Sequence, residues 1–272
     1  MYYLDMSASH CRAPRARAWY VRAAAGVAVL ALCLMLGAAL SACGAQTPGT
    51  AGNGAAPTVA TAAGKTVHFT TEDGVQLGGR LFGSGHAGVI LCHMYPADQS
   101  SWYLTAQELA AQGYLVLTFD FRGYGQSGGA KEIDKLDRDV SAAVTEIRSN
   151  GAEAVVLAGA SMGGTAALIA GDKAQALSSI RLAGIATLSA PVEFMGLSAA
   201  GSVPHLVVPL LFIAAEGDAG AAGARQLEQL SFNKGNLQML PGSDHGTALL
   251  AGSQGAKVYQ LLLAFIKSCL GS

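Results

Sequence analysis

Gly159-Ala160-Ser161-Met162-Gly163 places one hydroxyl among glycines at the end of an apolar run. The residues before it, AVVLAGA, read as a buried strand. Those after it, MGGTAALIAGD, resume with apolar residues at helical spacing. A sharp strand-to-helix turn of this kind exposes a serine Oγ as a nucleophile, and its glycines let backbones approach where a Cβ would not fit. A tight turn that only wants small residues is the plainer alternative. The choice between them depends on what else the chain brings to the same end of its strands.

Acyl transfer through a serine needs a base, an acid that orients the base, and donors for the oxyanion. Of the six histidines, His10, His68, His86, His93, His205 and His245, only His93 and His245 end predicted buried strands. His245, in Gly242-Ser243-Asp244-His245-Gly246, follows Ser161 in the chain and is the expected base; His93 precedes it. Asp218 ends VPLLFIAAEGD, between Ser161 and His245, and is the expected acid, with Glu216 as its rival. Asp244 is adjacent to His245 and poorly placed to reach its ring, and Asp120 reads as a turn residue. One oxyanion donor is the N–H after the nucleophile, that of Met162. The second is expected from His93-Met94-Tyr95-Pro96.

The elements that must carry these groups alternate. VHFTTEDGVQLGGRLFG reads as two strands joined at Asp73-Gly74, and AGVILCH as a strand buried on both faces. SSWYLTAQELAAQG is a helix that stops at Gly113, and YLVLTFDFRG the next buried strand. Leu136, Val140, Val144 and Ile147 form one helical stripe. After Ser161 come three strands, LAGIATLSAP, VPLLFIAAEGD and NLQMLPGSDH, then one helix from Gly246 to about Cys269. The pattern implies an α/β domain with a doubly wound, mostly parallel sheet of about eight strands and helices on both faces. Ligands of such sheets bind at the carboxyl ends of the strands.

LCHMYPADQSSW, DFRGYGQSGG, GASMGG, AAEGD and GSDHG, in that order, resemble the α/β-hydrolase superfamily over residues 65–272. The likeness is to cap-poor serine esterases and dienelactone-hydrolase-like members, in the chain order Ser, Asp, His. It implies that Tyr95 supplies the second oxyanion N–H, and that Asp120, Arg122 and Gly123 form a structural turn. Met94 stands where such relatives carry glycine. The span PVEFMGLSAAGSVPHL is too short for a large lid; Phe194, Met195, Leu197 and the Tyr95 loop are expected to shape an open pocket.

Residues 1–42 carry Arg12, Arg15, Arg17 and Arg22, then the apolar VAVLALCLMLGAAL, a secretory signal pattern. Leu40-Ser41-Ala42-Cys43 resembles the lipobox of bacterial lipoproteins, which implies cleavage before Cys43 and lipid on its sulfur; an uncleaved anchor would give the same topology. Residues 43–64 read as a flexible linker. The expected location is the extracytoplasmic face of the bacterial membrane.

The net charge of −1 gives no electrostatic case for nucleic acid. Five cysteines without paired spacing imply no disulfide framework, and neither a GxGxxG after the first buried strand nor a P-loop is present. No cofactor or metal is expected, and Asp134, Asp137 and Asp139 read as a solvated helix start. The leading expectation is a tethered serine hydrolase of small ester substrates. Thioesterase or peptidase chemistry on the same fold, or a non-catalytic binding lipoprotein, are the alternatives.

Overall fold

The computed structural model describes residues 64–177, 179–233 and 235–271. The signal pattern, Cys43 and nearly all of the expected linker lie outside the described residues.

Eight strands form one sheet in the order β1 (Lys65–Thr70), β2 (Gln76–Phe82), β4 (Leu115–Phe119), β3 (Ala87–Cys92), β5 (Ala154–Ala160), β6 (Arg181–Leu188), β9 (Leu210–Ala215) and β10 (Asn236–Leu240). β1 and β2 pair antiparallel, β2 meets β4 antiparallel, and every later pairing is parallel. A short hairpin, β7 (Glu193–Phe194) and β8 (Leu197–Ser198), stands apart between β6 and β9. The helices are α1 (Tyr103–Ala111), α2 (Leu136–Ser149), α3 (Met162–Ala174), α4 (Ala221–Leu230), α5 (Ala248–Ala251) and α6 (Gly255–Leu270).

The continuous apolar strands follow from burial on both faces. In β3, Ile90 and Cys92 face one core with Val140, Ile147, Ala167 and Leu227 from α2, α3 and α4. Val89 and Leu91 face the other, with Trp102 and with Leu109, Val258 and Leu262 from α1 and α6. β5 divides the same way: Val155 and Leu157 on the first face, Val156 and Ala158 on the second. Each fully buried Leu, Ile or Val contributes about 1.5–3 kcal/mol, so the two cores fix which face each strand residue takes.

Two local expectations change. The single helix after Gly246 is two, because Gly252 turns extended (φ −78°, ψ −172°) before α6 begins at Gly255. Asp244 presses on Gly252, where any side chain would overlap the carboxylate. The acidic group at α2 is not a solvated helix start. Only Asp134 is exposed; Asp137 is buried and holds Lys173, and Asp139 is fully buried.

Among the described residues no helix is long and apolar enough to cross a membrane. Cys92 and Cys269 are free thiols, and burial pushes the Cys92 thiol well above its ordinary pKa.

Candidate active site

Ser161 lies between the last residue of β5 and the first of α3, with φ +47° and ψ −119°. A non-glycine residue there costs about 1–3 kcal/mol, so neighbouring structure must hold it. Its N–H donates to the Leu188 carbonyl at 2.8 Å, and its carbonyl accepts from the Gly164 and Thr165 N–H groups. The glycines answer to close approach: a Cβ on Gly163 would overlap the His93 and Cys92 carbonyls, and one on Gly159 would overlap the Gly163 backbone.

Asp218 follows β9 and His245 follows β10, whose parallel pairing of Leu240 with Ala215 sets the two loops side by side. His245 Nδ1 lies 2.7 Å from Asp218 Oδ1, and His245 Nε2 lies 2.8 Å from Ser161 Oγ. A carboxylate accepts only, so Nδ1 carries the proton and donates to Asp218. The Nε2 lone pair then faces Ser161 and accepts its O–H. Asp218 and Ser161 are buried, whereas the His245 side chain is 39% exposed, so solvent reaches the line at the imidazole. The structure thus brings Ser161, His245 and Asp218 together. Glu216 points away, half-exposed and paired with Arg225.

The Met162 N–H is the first of α3 and has no intrahelical acceptor; it stands at the positive end of the helix dipole. The Tyr95 N–H has no hydrogen-bond partner among the described residues. Both N–H groups are thus free to donate, that of Met162 next to the serine in the chain. Met94 keeps φ out of the left-handed region, so this position does not require glycine. Its Sδ packs against Gly246 (φ +58°) and accepts from the Thr247 hydroxyl at 3.7 Å, joining the Tyr95 loop to the His245 loop.

His93 is a fully buried link rather than a base. Its Nε2 accepts from the Phe121 N–H at 3.0 Å, and its Nδ1 donates to the Met94 carbonyl at 3.0 Å. Burial holds its pKa below the ordinary value and keeps it neutral. The Asp120 carboxylate accepts from Gln99 N–H and Nε2–H and from Gln126 N–H. Arg122, with its side chain wholly buried, donates from N and Nε to Asp139 at 2.8 Å and from its terminal nitrogens to Asp73 at 2.9 and 3.0 Å. These two networks fix the loop after β4 against Gln99, α2 and the β1–β2 turn.

At the mouth, the exposed Tyr95 ring stands 5.8 Å from Phe194, and Met195 is 66% exposed at the tip of the β7–β8 hairpin. Leu197 instead turns into the core. A cleft of about 450 Å³ adjoins the His245 loop between α1 and α6, lined by Leu104, Glu108, Thr247, Leu250 and Tyr259 among others.

A Pyrococcus furiosus esterase superposes with a TM-score of 0.66 at 22% identity, over 76% of this chain and 91% of that one. The chain has the α/β-hydrolase fold. A family model described as serine aminopeptidase, S33, matches residues 83–211 and supports a hydrolase of this superfamily. That match contains Tyr95 and Ser161 and stops before Asp218 and His245. Rat bifunctional epoxide hydrolase 2 is 37% identical over 68 residues, 25% of this chain and 12% of that protein. An uncharacterized Mycobacterium tuberculosis protein is 40% identical over 86 residues, 30% of each chain. The matched segments thus span less than a third of these curated relatives.

Proposed function

We propose that the protein is an exported, membrane-tethered serine hydrolase of carboxylic esters, with residues 65–272 as its catalytic domain and Cys43 as its lipid anchor. The observation that carries the chemistry is the bonded line from Ser161 Oγ through His245 to Asp218 on a strained turn. Ser161 Oγ attacks the ester carbonyl carbon while His245 Nε2 takes the hydroxyl proton. The Met162 and Tyr95 N–H groups stabilise the oxyanion, which such donors bind more tightly than the ground-state carbonyl. His245 returns the proton to the departing alcohol, leaving an acyl-serine. It then takes a proton from water, whose oxygen attacks the acyl carbon, and gives that proton to Ser161 Oγ as the acid is released. Asp218 keeps Nδ1 protonated and offsets the imidazolium charge.

Aminopeptidase chemistry is the second reading, favoured by the description of the matching family. The esterase among the structural neighbours and the open mouth support esters. Labelling membranes of cells expressing the full chain with a fluorophosphonate tests the shared step: wild type labels and Ser161→Ala does not. Parallel series of nitrophenyl esters and aminoacyl nitroanilides then separate the readings. An unlabelled, folded wild type would sink both.

A further inference from the structure

Six large apolar side chains stand exposed among the described residues, and they divide between the two ends of the sheet. Tyr95, Leu104 and Met195 lie on the Ser161 side, past the carboxyl ends of β3 and β6. Leu177, Val207 and Phe232, at 51%, 66% and 73% exposed, lie in the connections leading into β6, β9 and β10. They therefore sit at the opposite end. Their loops form one patch: Val207 N–H donates to the Gln175 side chain, and the Asn233 amide donates to the Val207 carbonyl. Arg148 and Arg181 border it, exposed, through the Ser179 and Cys269 carbonyls, with Glu153 as a neighbouring acid.

The chain also enters the domain at this end. Lys65 pairs with Leu81, and Phe82 pairs with Val116 at the start of β4. Lys65 thus lies at the same end of the sheet as the patch, although β1 is the edge strand opposite β10. β5 runs seven residues between the two ends, so at about 3.3 Å per residue the nucleophile stands roughly 20 Å or more from that face.

We propose that this end of the domain seats on the bilayer that carries the lipid anchor, with Phe232, Val207 and Leu177 in the headgroup boundary. Ser161 then opens away from the lipid, toward water-soluble esters. This rests on the reading of Cys43 as a lipid anchor. Three partly inserted side chains make a weak contact for a free protein. A tether of about 20 residues, with an r.m.s. span of about 25 Å, holds the face at roughly millimolar effective concentration, which favours a contact too weak for the free protein. Bordering arginines add attraction to anionic headgroups.

The test uses the full chain, matured in a bacterium and reconstituted in vesicles of phosphatidylethanolamine and phosphatidylglycerol, with and without acyl-brominated lipid. Tryptophan is introduced as Phe232→Trp, as Leu177→Trp, and at the other end as Leu104→Trp; Trp102 is fully buried and supplies a constant background. Interfacial residues sit about 5–10 Å into the headgroup boundary. Bromolipid should therefore remove roughly half of the added emission of the first two variants and leave that of Leu104→Trp unchanged. A chain that floats with the vesicles but shows no quenching at Phe232→Trp and Leu177→Trp overturns the seating while the anchor stands. Quenching at Leu104→Trp overturns the orientation. A chain that fails to float refutes the anchor, and the seating with it.

Discussion

Replacing Arg122 with methionine tests the inner network most sharply. The guanidinium is wholly buried, and so is the Asp139 carboxylate it faces. Methionine fills much of the space but leaves Asp139 with a single donor, the backbone N–H of residue 122. Breaking a buried pair by removing one partner costs about 3–5 kcal/mol, because a charge is left uncompensated. The Asp73 arm adds little, since that carboxylate is 21% exposed and regains water. A domain of this size shifts by about 2–4 °C per kcal/mol, so Arg122→Met should lower Tm by roughly 6–20 °C. Deleting both charges, Arg122→Met with Asp139→Leu, removes the orphan and should recover most of the loss. The double-mutant cycle would be read from urea midpoints and Tm together. The deficit of the single variant should also shrink in acid, where Asp139 is protonated and no longer a buried charge. A deficit below about 1 kcal/mol, or a double variant as poor as the two single losses added, would show that the pair is solvated and refute the reasoning.

Three further outcomes follow from the geometry. Asp218→Asn should lower kcat by about 10⁴-fold by disturbing the imidazole tautomer, whereas Glu216→Gln, already turned toward Arg225, should leave ester turnover unchanged; equal losses would move the acid to Glu216. Gly163→Ala drives a methyl into the His93 and Cys92 carbonyls and should cost about 1–3 kcal/mol as overpacking, with a larger loss of kcat as the turn moves. Gly201→Ala, which meets nothing within 4 Å, is its neutral control in the same melting and turnover assays. His93 is held below its ordinary pKa by burial, so its contribution is full above the unfolded-state value of about 6.5 and declines as pH falls below it. Urea midpoints of wild type should drop across that window, and His93→Gln should lose that slope; a wild-type midpoint flat from pH 7 to about 5 would contradict a buried neutral imidazole.

The eight sheet strands and the meeting of Ser161, Asp218 and His245 were legible because each depends on a local signal. Strands covered on both faces read as unbroken apolar runs, and the loops at their carboxyl ends carry Ser161, Asp218 and His245. What escaped depends on residues far apart in sequence. Asp139 resembled a solvated first-turn acid, yet it lies three residues after Leu136 and four before Ala143, on the stripe that α2 buries. That spacing was the available signal; the guanidinium that makes an acid tolerable there comes from the loop after β4. The break before α6 was hidden for a similar reason, because the carboxylate that crowds Gly252 belongs to Asp244. Met94 stands where the resembling relatives carry glycine. Its φ needs no glycine, and its side chain instead joins two loops through Thr247.

The choice between Glu216 and Asp218 shows what residue type alone leaves open. Had β9 continued, residues 216 and 218 would lie on one face by the period of two, and either carboxylate would reach the same place. The strand ends at Ala215 instead. Glu216 and Gly217 still donate N–H groups to the Leu240 and Gly242 carbonyls, following β10. The Asp218 N–H folds back to the Ala215 carbonyl and closes a turn. That turn breaks the alternation, sends Glu216 outward to Arg225 and buries the Asp218 carboxylate against His245. The turn that ends β9 therefore decides which carboxylate meets His245, and it does so through backbone hydrogen bonds that neither carboxylate makes.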